Sequence, residues 1–416
     1  MIISLAIMTV LGLVVNALFV RIKLPGLLGM LLLGILLGPY GLDILSPDLL
    51  RVSDDLRKLA LIIILVRAGL GINKEDLIKV GGPAIRISFI PVLLEGFTIA
   101  FLAIRLFGFS FIEGGMLGFI IAAVSPAVIV PQMLKLLDQK IGTDQGVPTL
   151  ILAGASIDDV FAITLFSAFI GLYTGTNSNL TWQILGIPLS IVLGIGLGVV
   201  FGLLLGRLYK HYRMRDTKKV LILLGVAIFM TAIESWLQDR VNIAALLGVM
   251  SMGFVLMEQK PDVSRRLASK LNKIWVLAEI VLFVLVGAQV DIAIAINAGL
   301  LGLLIILIGL SARSIGVFLA TLGSHFSWKE RLFCVIAYLP KATVQAAIGG
   351  IPLSMGIESG GLILALAVVA ILFTAPLGAI GMDRTAPLLL VQEEAKREVR
   401  KPKQARILPE KPPAES

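Results

Sequence analysis

Two adjacent aspartates, Asp158 and Asp159, stand about halfway along an otherwise apolar stretch, TLILAGASIDDVFAITLF. A charged side chain at the centre of a bilayer costs roughly 3 kcal/mol or more, so such a residue either serves a function or is held by a partner. Two neighbouring negative charges repel each other, which favours a proton on at least one of them. This pair therefore suits a site that alternates between a proton and a small cation. The alternative is a buried carboxylate satisfied by an Arg or Lys.

Oxygen atoms close to these aspartates are candidate cation ligands. Ser156 lies three positions before Asp159 and shares its helical face, and Ser125 precedes Pro126 in SPAVIVP. Proline frees the carbonyl four residues earlier, and carbonyl oxygens are good ligands for hard cations. The sequence predicts a cation site at Asp158 and Asp159 with Ser156 and the freed carbonyl as candidate ligands, unless Pro126 marks an ordinary kink.

Three further charged residues, Lys341, Glu95 and Arg313, also lie within apolar segments. Pro340 breaks a second helix in YLPKATVQ, where Lys341 either neutralises the carbonyl end of a half-helix or couples to the substrate. Glu95 and Arg313 each lie within an apolar segment, where a lone charge is costly, so we expect an ion pair between them. A contact of Arg313 with Asp158 is the alternative.

The elements that position these residues must be membrane-spanning helices. Apolar residues make up 57% of the 416 residues and charged residues 15%, against about 25% charged in typical soluble domains. Several apolar stretches approach the roughly 20 residues needed to cross a bilayer. The sequence predicts an all-α polytopic membrane protein with about thirteen transmembrane helices over residues 1–381, the first of them a spanning helix rather than a removed signal.

Loop charges predict the orientation of these helices. Connections 173–181, 291–298 and 354–360 contain no Lys or Arg, whereas most basic residues lie in the alternate connections. The positive-inside rule then places the amino terminus outside and the carboxyl terminus in the cytoplasm.

Residues 382–416 are charged and Pro-rich, which predicts a disordered basic tail suited to anionic lipids.

Landmarks in the two halves of the chain share one offset. Ala68-Gly69 and Gly287-Ala288 lie about 219 positions apart, and nearly the same offset relates both proline-interrupted helices and Glu95 to Arg313. Inverted repeats with two crossed discontinuous helices indicate a transporter whose site lies at the repeat interface.

One cysteine and two histidines argue against a disulfide framework or a histidine-ligated metal site, and we expect no cofactor.

The segments SPAVIVPQML, GVPTLILAGASIDDVFAI and YLPKATVQAAIGG resemble motifs of sodium/proton antiporters in the cation/proton antiporter superfamily. The similarity extends over about residues 20–380 and is greatest to the two-aspartate branch that contains the sodium/hydrogen exchanger B subfamily and its bacterial relatives. The resemblance implies that Asp159 carries the cation and the proton, with Asp158 and Ser125 close by, and that Glu95 and Arg313 form a salt bridge. Bacterial two-aspartate antiporters have lysine where Arg313 stands, which leaves the proton stoichiometry open because arginine does not release its proton.

The resemblance also implies homodimers and an elevator-like movement of a core. We assign the core to about 56–173 and 274–381, and the dimerisation scaffold to about 1–55 and 182–258. The predicted function is exchange of Na⁺ or Li⁺ for H⁺, with K⁺/H⁺ exchange as the alternative and a Na⁺-coupled organic-anion symporter, or a channel or ion sensor, as more distant ones. We expect lipid as a partner, no nucleic acid, no enzymatic activity and, from the short loops, a prokaryotic inner membrane.

Overall fold

The computed structural model describes residues 1–71, 74–174, 180–237 and 243–391, and within these ranges the regular structure is α-helical. The helices are α1 (Ile2–Arg21), α2 (Gly26–Leu37), α3 (Pro47–Arg51), α4 (Ser53–Gly71), α5 (Lys74–Phe107), α6 (Phe111–Ala122), α7 (Pro126–Asp138), α8 (Val147–Thr174), α9 (Leu180–His211), α10 (Asp216–Leu237), α11 (Ala245–Gln259), α12 (Pro261–Ala288), α13 (Ile292–Ala320), α14 (Trp328–Ala337), α15 (Thr343–Ile348), α16 (Ile351–Ser354) and α17 (Gly360–Leu389).

Many of these helices are apolar enough to cross a membrane. Among the described residues, nine spans meet that criterion by length and hydropathy, with α6 and α7 counted as the single span Phe111–Asp138. Two shorter apolar helices, α2 and α11, accompany them. Large apolar side chains are exposed along α1, α9, α10 and α13, as expected where lipid rather than water is the solvent. The chain is therefore a polytopic helical membrane protein.

Two membrane segments are interrupted in the middle. The helix α6 ends at Ala122 and α7 begins at Pro126, whose ring nitrogen has no hydrogen to donate to a preceding turn. The second break separates α14 from α15 and contains Pro340. The amide of Ser125 donates to the carbonyl of Pro340 over 2.8 Å, so the two breaks meet.

The helices pack in two groups. In the first, α5 lies against α6, α8 and α13, and α17 lies against α13 and α14. In the second, α4 packs on α11 and α12, α12 packs on α2, and α9 packs on α11. The packing thus places α4 and α12 in the second group, although the sequence assigned residues 56–72 and 274–288 to the core.

The carboxyl-terminal helix is longer than the sequence indicated. The predicted boundary was residue 381, but α17 continues to Leu389 because the apolar pattern resumes after the charged turn. Beyond it, the amide of Gly142 donates to the carbonyl of Val391 over 2.9 Å. The remainder of the predicted tail, residues 392–416, lies outside the described residues.

Close helix packing in the second group depends on glycine. A Cβ atom added at Gly69 of α4 would lie 2.1 Å from the carbonyl oxygen of Met250 in α11. We expect Gly69→Ala to lower the melting temperature of the detergent-purified protein, because overpacking a tight contact typically costs about 1–3 kcal/mol. Gly71→Ala is the matched control, since nothing lies within 4 Å of its added Cβ. Equal melting temperatures for the two variants would contradict this packing.

Candidate functional site

Arg313 is the centre of a buried charge cluster close to the point where the two helix breaks meet. Its side chain is fully buried, with Nη1 2.8 Å from Oε2 of Glu95 and Nη2 2.6 Å from Oδ1 of Asp158. Its Nε donates to the carbonyl of Tyr338 over 2.8 Å, and Nη1 also donates to the carbonyl of Ala122. The two partners considered as alternatives for Arg313 are therefore bound at the same time.

Lys341 binds the same cluster from the second break. Its Nζ lies 2.6 Å from Oε2 of Glu95 and 3.3 Å from the carbonyl oxygen of Ala122. Ala122 is the last residue of α6, where the helix dipole is negative, so the ammonium lies where it can neutralise that end. The backbone amide of Lys341 donates to Oγ1 of Thr374 over 2.8 Å, which connects the break to α17.

The carbonyl groups at the end of α6 are already occupied. Nε2 of Gln345 lies 3.0, 3.2 and 2.7 Å from the carbonyl oxygens of Ile120, Ile121 and Ala123, and Arg313 and Lys341 share that of Ala122. The sequence predicts that the carbonyl freed by Pro126 is a cation ligand. That carbonyl belongs to Ala122, and it is satisfied by cationic side chains instead.

The two aspartates have different environments. Oδ2 of Asp158 accepts from the amide of Val124 over 2.9 Å and Oδ1 binds Arg313, so both of its oxygens are engaged. Asp159 is 7% exposed, and its buried Oδ1 has no hydrogen-bond partner. No residue in the described ranges forms an ion pair with Asp159. Of the two aspartates, only Asp158 binds Arg313, and successive helical residues lie about 100° apart, so their carboxylates point in different directions.

The charges of the cluster do not cancel. Three carboxylates (Glu95, Asp158 and Asp159) lie with two cations (Arg313 and Lys341), so full ionisation leaves a net charge of −1, from 2 − 3. The ion pairs of both cations go to Glu95 and Asp158. The excess negative charge therefore belongs to Asp159, the carboxylate that this network leaves unpaired.

Hydroxyl groups without partners lie at the starts of both half-helices. Ser125 precedes α7, and its buried Oγ caps no backbone amide and has no hydrogen-bond partner. Thr343 begins α15, and its buried Oγ1 is likewise unpartnered. Ser156 lies in α8, but its side chain is outside the part of the chain that the structure describes. The described residues contain no group of three or more His, Cys, Asp or Glu side chains spaced to hold a metal ion.

Sequence reasoning did not assign a role to Tyr338. Its ring lies under the guanidinium of Arg313, with Cζ 5.3 Å from the ring centroid. Its buried hydroxyl oxygen has no partner and would lie 2.1 Å from a Cβ added at Gly154. The sequence feature that could have indicated a bulky neighbour here is Gly154, because a small residue on the helix of Asp159 leaves room for one.

Comparison with known proteins identifies the family. The family described as the sodium/hydrogen exchanger, transmembrane, matches residues 5–385. The chain belongs to the sodium/hydrogen exchanger family. This exchanger is 34% identical to human sodium/hydrogen exchanger 9B2 over 391 residues, which covers 89% of the chain and 71% of the relative. It is 29% identical to human sodium/hydrogen exchanger 9B1 over 384 residues, 89% of the chain and 73% of the relative.

A solved structure has the same fold as the exchanger. The sodium proton antiporter MjNhaP1 from Methanocaldococcus jannaschii at pH 8 superposes with a TM-score of 0.80 at 23% sequence identity, covering 93% of this chain and 98% of that one. The predicted resemblance to cation/proton antiporters is thereby confirmed. The exchanger is a membrane transporter and not an enzyme.

The contact between Glu95 and Arg313 can be tested by a double-mutant cycle. We expect the losses of stability in Glu95→Ala and Arg313→Ala to sum to at least ~1 kcal/mol more than the loss in the double variant, because coupled residues are not additive. The measurement is thermal unfolding of the purified protein in detergent. Lys135 and Asp383, a half-exposed pair 2.8 Å apart, provide a control cycle with a coupling of about 0–1 kcal/mol. Strict additivity for Glu95 and Arg313 would mean that the pair does not form.

Proposed function

We propose that the exchanger moves Na⁺ or Li⁺ in one direction and H⁺ in the other by competition of the two ions at Asp159. The observation that carries the proposal is the unpartnered, buried oxygen of Asp159 beside a network that neutralises Glu95 and Asp158. A carboxylate with this environment requires a positive charge from elsewhere, because an ionised group away from water is costly. A proton and a metal cation both meet that requirement, and each excludes the other.

The proposed cation ligands are oxygen atoms at the crossing of the breaks. Asp159 supplies the charge, Ser125 supplies an unpartnered hydroxyl, and Asp158 supplies the lone pairs that Arg313 and Val124 leave free. Ser156 is proposed as an additional ligand from the sequence alone. Small cations such as Na⁺ and Li⁺ prefer oxygen ligands. When Asp159 is protonated the cluster becomes neutral, and the cation leaves.

Arginine at position 313 limits which groups can release a proton during the exchange cycle. A guanidinium remains charged in proteins, whereas a buried lysine ammonium can release its proton. Arg313 also makes two ion pairs and two carbonyl contacts, each of which favours the charged form. We therefore assign the exchanged proton to Asp159 and none to Arg313.

We propose that thirteen spans arranged as two inverted repeats build this site. Matching local features in the two halves support the repeat. Ser110 and Glu113 form a capping box at the start of α6, and Ser327 and Glu330 form another at the start of α14. The helix preceding each capping box, α5 or α13, is kinked at a glycine with positive φ, Gly81 in one and Gly299 in the other.

We further propose that α5–α8 and α13–α17 move as one body relative to the remaining helices. Every member of the charge cluster lies in this group, which supports carriage of the intact site across the membrane. The other helices would then form a scaffold that makes a homodimer, with lipid, including anionic lipid, around it. The proposed location is a prokaryotic inner membrane, with the amino terminus outside and the carboxyl terminus in the cytoplasm.

The decisive variant is Asp159→Asn. An amide cannot bind a proton or neutralise a cation, so we expect exchange to fall to the level of empty liposomes while the melting temperature stays near that of the wild type. The measurement is dissipation of a pH gradient in proteoliposomes after addition of Na⁺, Li⁺ or K⁺ in turn, a series that also separates sodium from potassium exchange. Asp383→Asn is the control for an exposed carboxylate. Wild-type transport by Asp159→Asn would refute the assignment.

A further inference from the structure

A small cavity lies between the Asp159 helix and the scaffold. It is lined by Ile163, Thr164 and Ser167 of α8, by Leu65 of α4, by Glu234 of α10, and by Ala244, Leu246 and Leu247 at the start of α11. The space in this cavity that is open to the centre of a water molecule is about 10 Å³. The cavity therefore has room for about one water molecule or small ion. The cavity therefore combines one carboxylate from α10 with two hydroxyls from α8.

The cavity lies about a quarter turn around α8 from Asp159, toward the carboxyl end of the helix. Ile163, Thr164 and Ser167 follow Asp159 by four, five and eight positions, which corresponds to rotations of about 40°, 140° and 80° and to rises of about 6, 8 and 12 Å. An ion that leaves Asp159 toward the carboxyl end of α8 along this side passes Ile163 and then meets Ser167. Glu234 faces the same space from the opposite wall.

Glu234 is half-buried, and its position is not explained by an ion pair in the part of the chain that the structure describes. Lys58 of α4 acts on its carboxylate electrostatically, and the amide of Ala245 lies within its reach. No described cation is within 4.0 Å of it. Lys58 instead lines an open cleft of about 620 Å³ between α4 and α10, together with Asp55 and Ser235. Residues of α4 and α10 line both the small cavity and the open cleft, and Glu234 is less exposed than Lys58.

We propose that Glu234, Thr164 and Ser167 form a second, low-affinity station for Na⁺ or Li⁺ between Asp159 and the molecular surface at the carboxyl end of α8. A carboxylate and hydroxyls replace part of the hydration shell that a hard cation loses on entering the protein. A fixed negative charge in a narrow passage also raises the local cation concentration and the association rate. The station rests on the proposed function, because it supplies cations to Asp159.

The station predicts an effect on one face of the membrane only. Glu234→Gln should raise KM for Na⁺ about threefold to tenfold on the face at the carboxyl end of α8, the size expected for removing one charge several ångströms from the path. KM on the opposite face and kcat should stay near wild-type values. Glu279→Gln is the matched control, because Glu279 is a half-buried scaffold carboxylate that lies near Arg67 and lines neither cleft.

The rival explanation is that Glu234 attracts Lys58 and so holds α10 against α4. The two explanations predict different changes of KM in the variant Lys58→Gln. If Glu234 only attracts Lys58, Lys58→Gln should reproduce the effect of Glu234→Gln. If Glu234 receives cations, removing the competing ammonium should leave KM unchanged or lower it. Thr164→Val, which removes a buried hydroxyl at similar volume, should raise KM on the same face by a smaller factor.

The experiment uses right-side-out and everted vesicles that contain the full chain, with Na⁺ added to one face at a time. A carboxyl-terminal tag reports the orientation, because Val391 contacts Gly142 next to the amino end of α8, on the face opposite to the cavity. A higher KM on the cavity face alone supports the station. Unchanged KM in Glu234→Gln overturns it while exchange through Asp159 stands, whereas transport by Asp159→Asn in the same vesicles overturns the proposed function itself.

Discussion

The ion pairs of Arg313 are the interaction on which the site depends. A guanidinium away from water costs several kcal/mol unless its charge and its hydrogen-bond donors are matched. Glu95, Asp158 and two backbone carbonyls provide that match. Because these partners come from α5, α8 and the ends of α6 and α14, one side chain on α13 connects four other helices.

The breaks in the two membrane helices make this network possible. An unbroken membrane helix satisfies its own backbone carbonyls, which are then not available to side chains. Ending α6 at Ala122 exposes carbonyl groups that Arg313, Lys341 and Gln345 occupy. The same interruption contains Ser125, whose buried hydroxyl has no hydrogen-bond partner. The breaks therefore provide the backbone carbonyls that anchor the cationic side chains.

Charges in apolar segments made much of the site predictable from sequence. Glu95, Asp158, Asp159, Arg313 and Lys341 each stand out because a lone charge in a membrane helix requires an explanation. The sequence could not decide which carboxylate binds Arg313, because the answer depends on how the helices cross. The role of Gln345 was equally inaccessible, since its acceptors lie more than 200 positions away along the chain. Apolar periodicity does not specify which helices pack together, which is why α4 and α12 were grouped with the core.

Proton release on cation binding tests the central claim most directly. Purified protein in detergent, in weakly buffered solution slightly below neutral pH, is titrated with NaCl while a pH indicator records the change, and choline chloride serves as the control for ionic strength. Competition at Asp159 predicts that Na⁺ expels protons from the wild type, that the signal saturates with Na⁺ concentration, and that Asp159→Asn releases none. Saturable Na⁺ binding by calorimetry without any proton release would contradict a shared site.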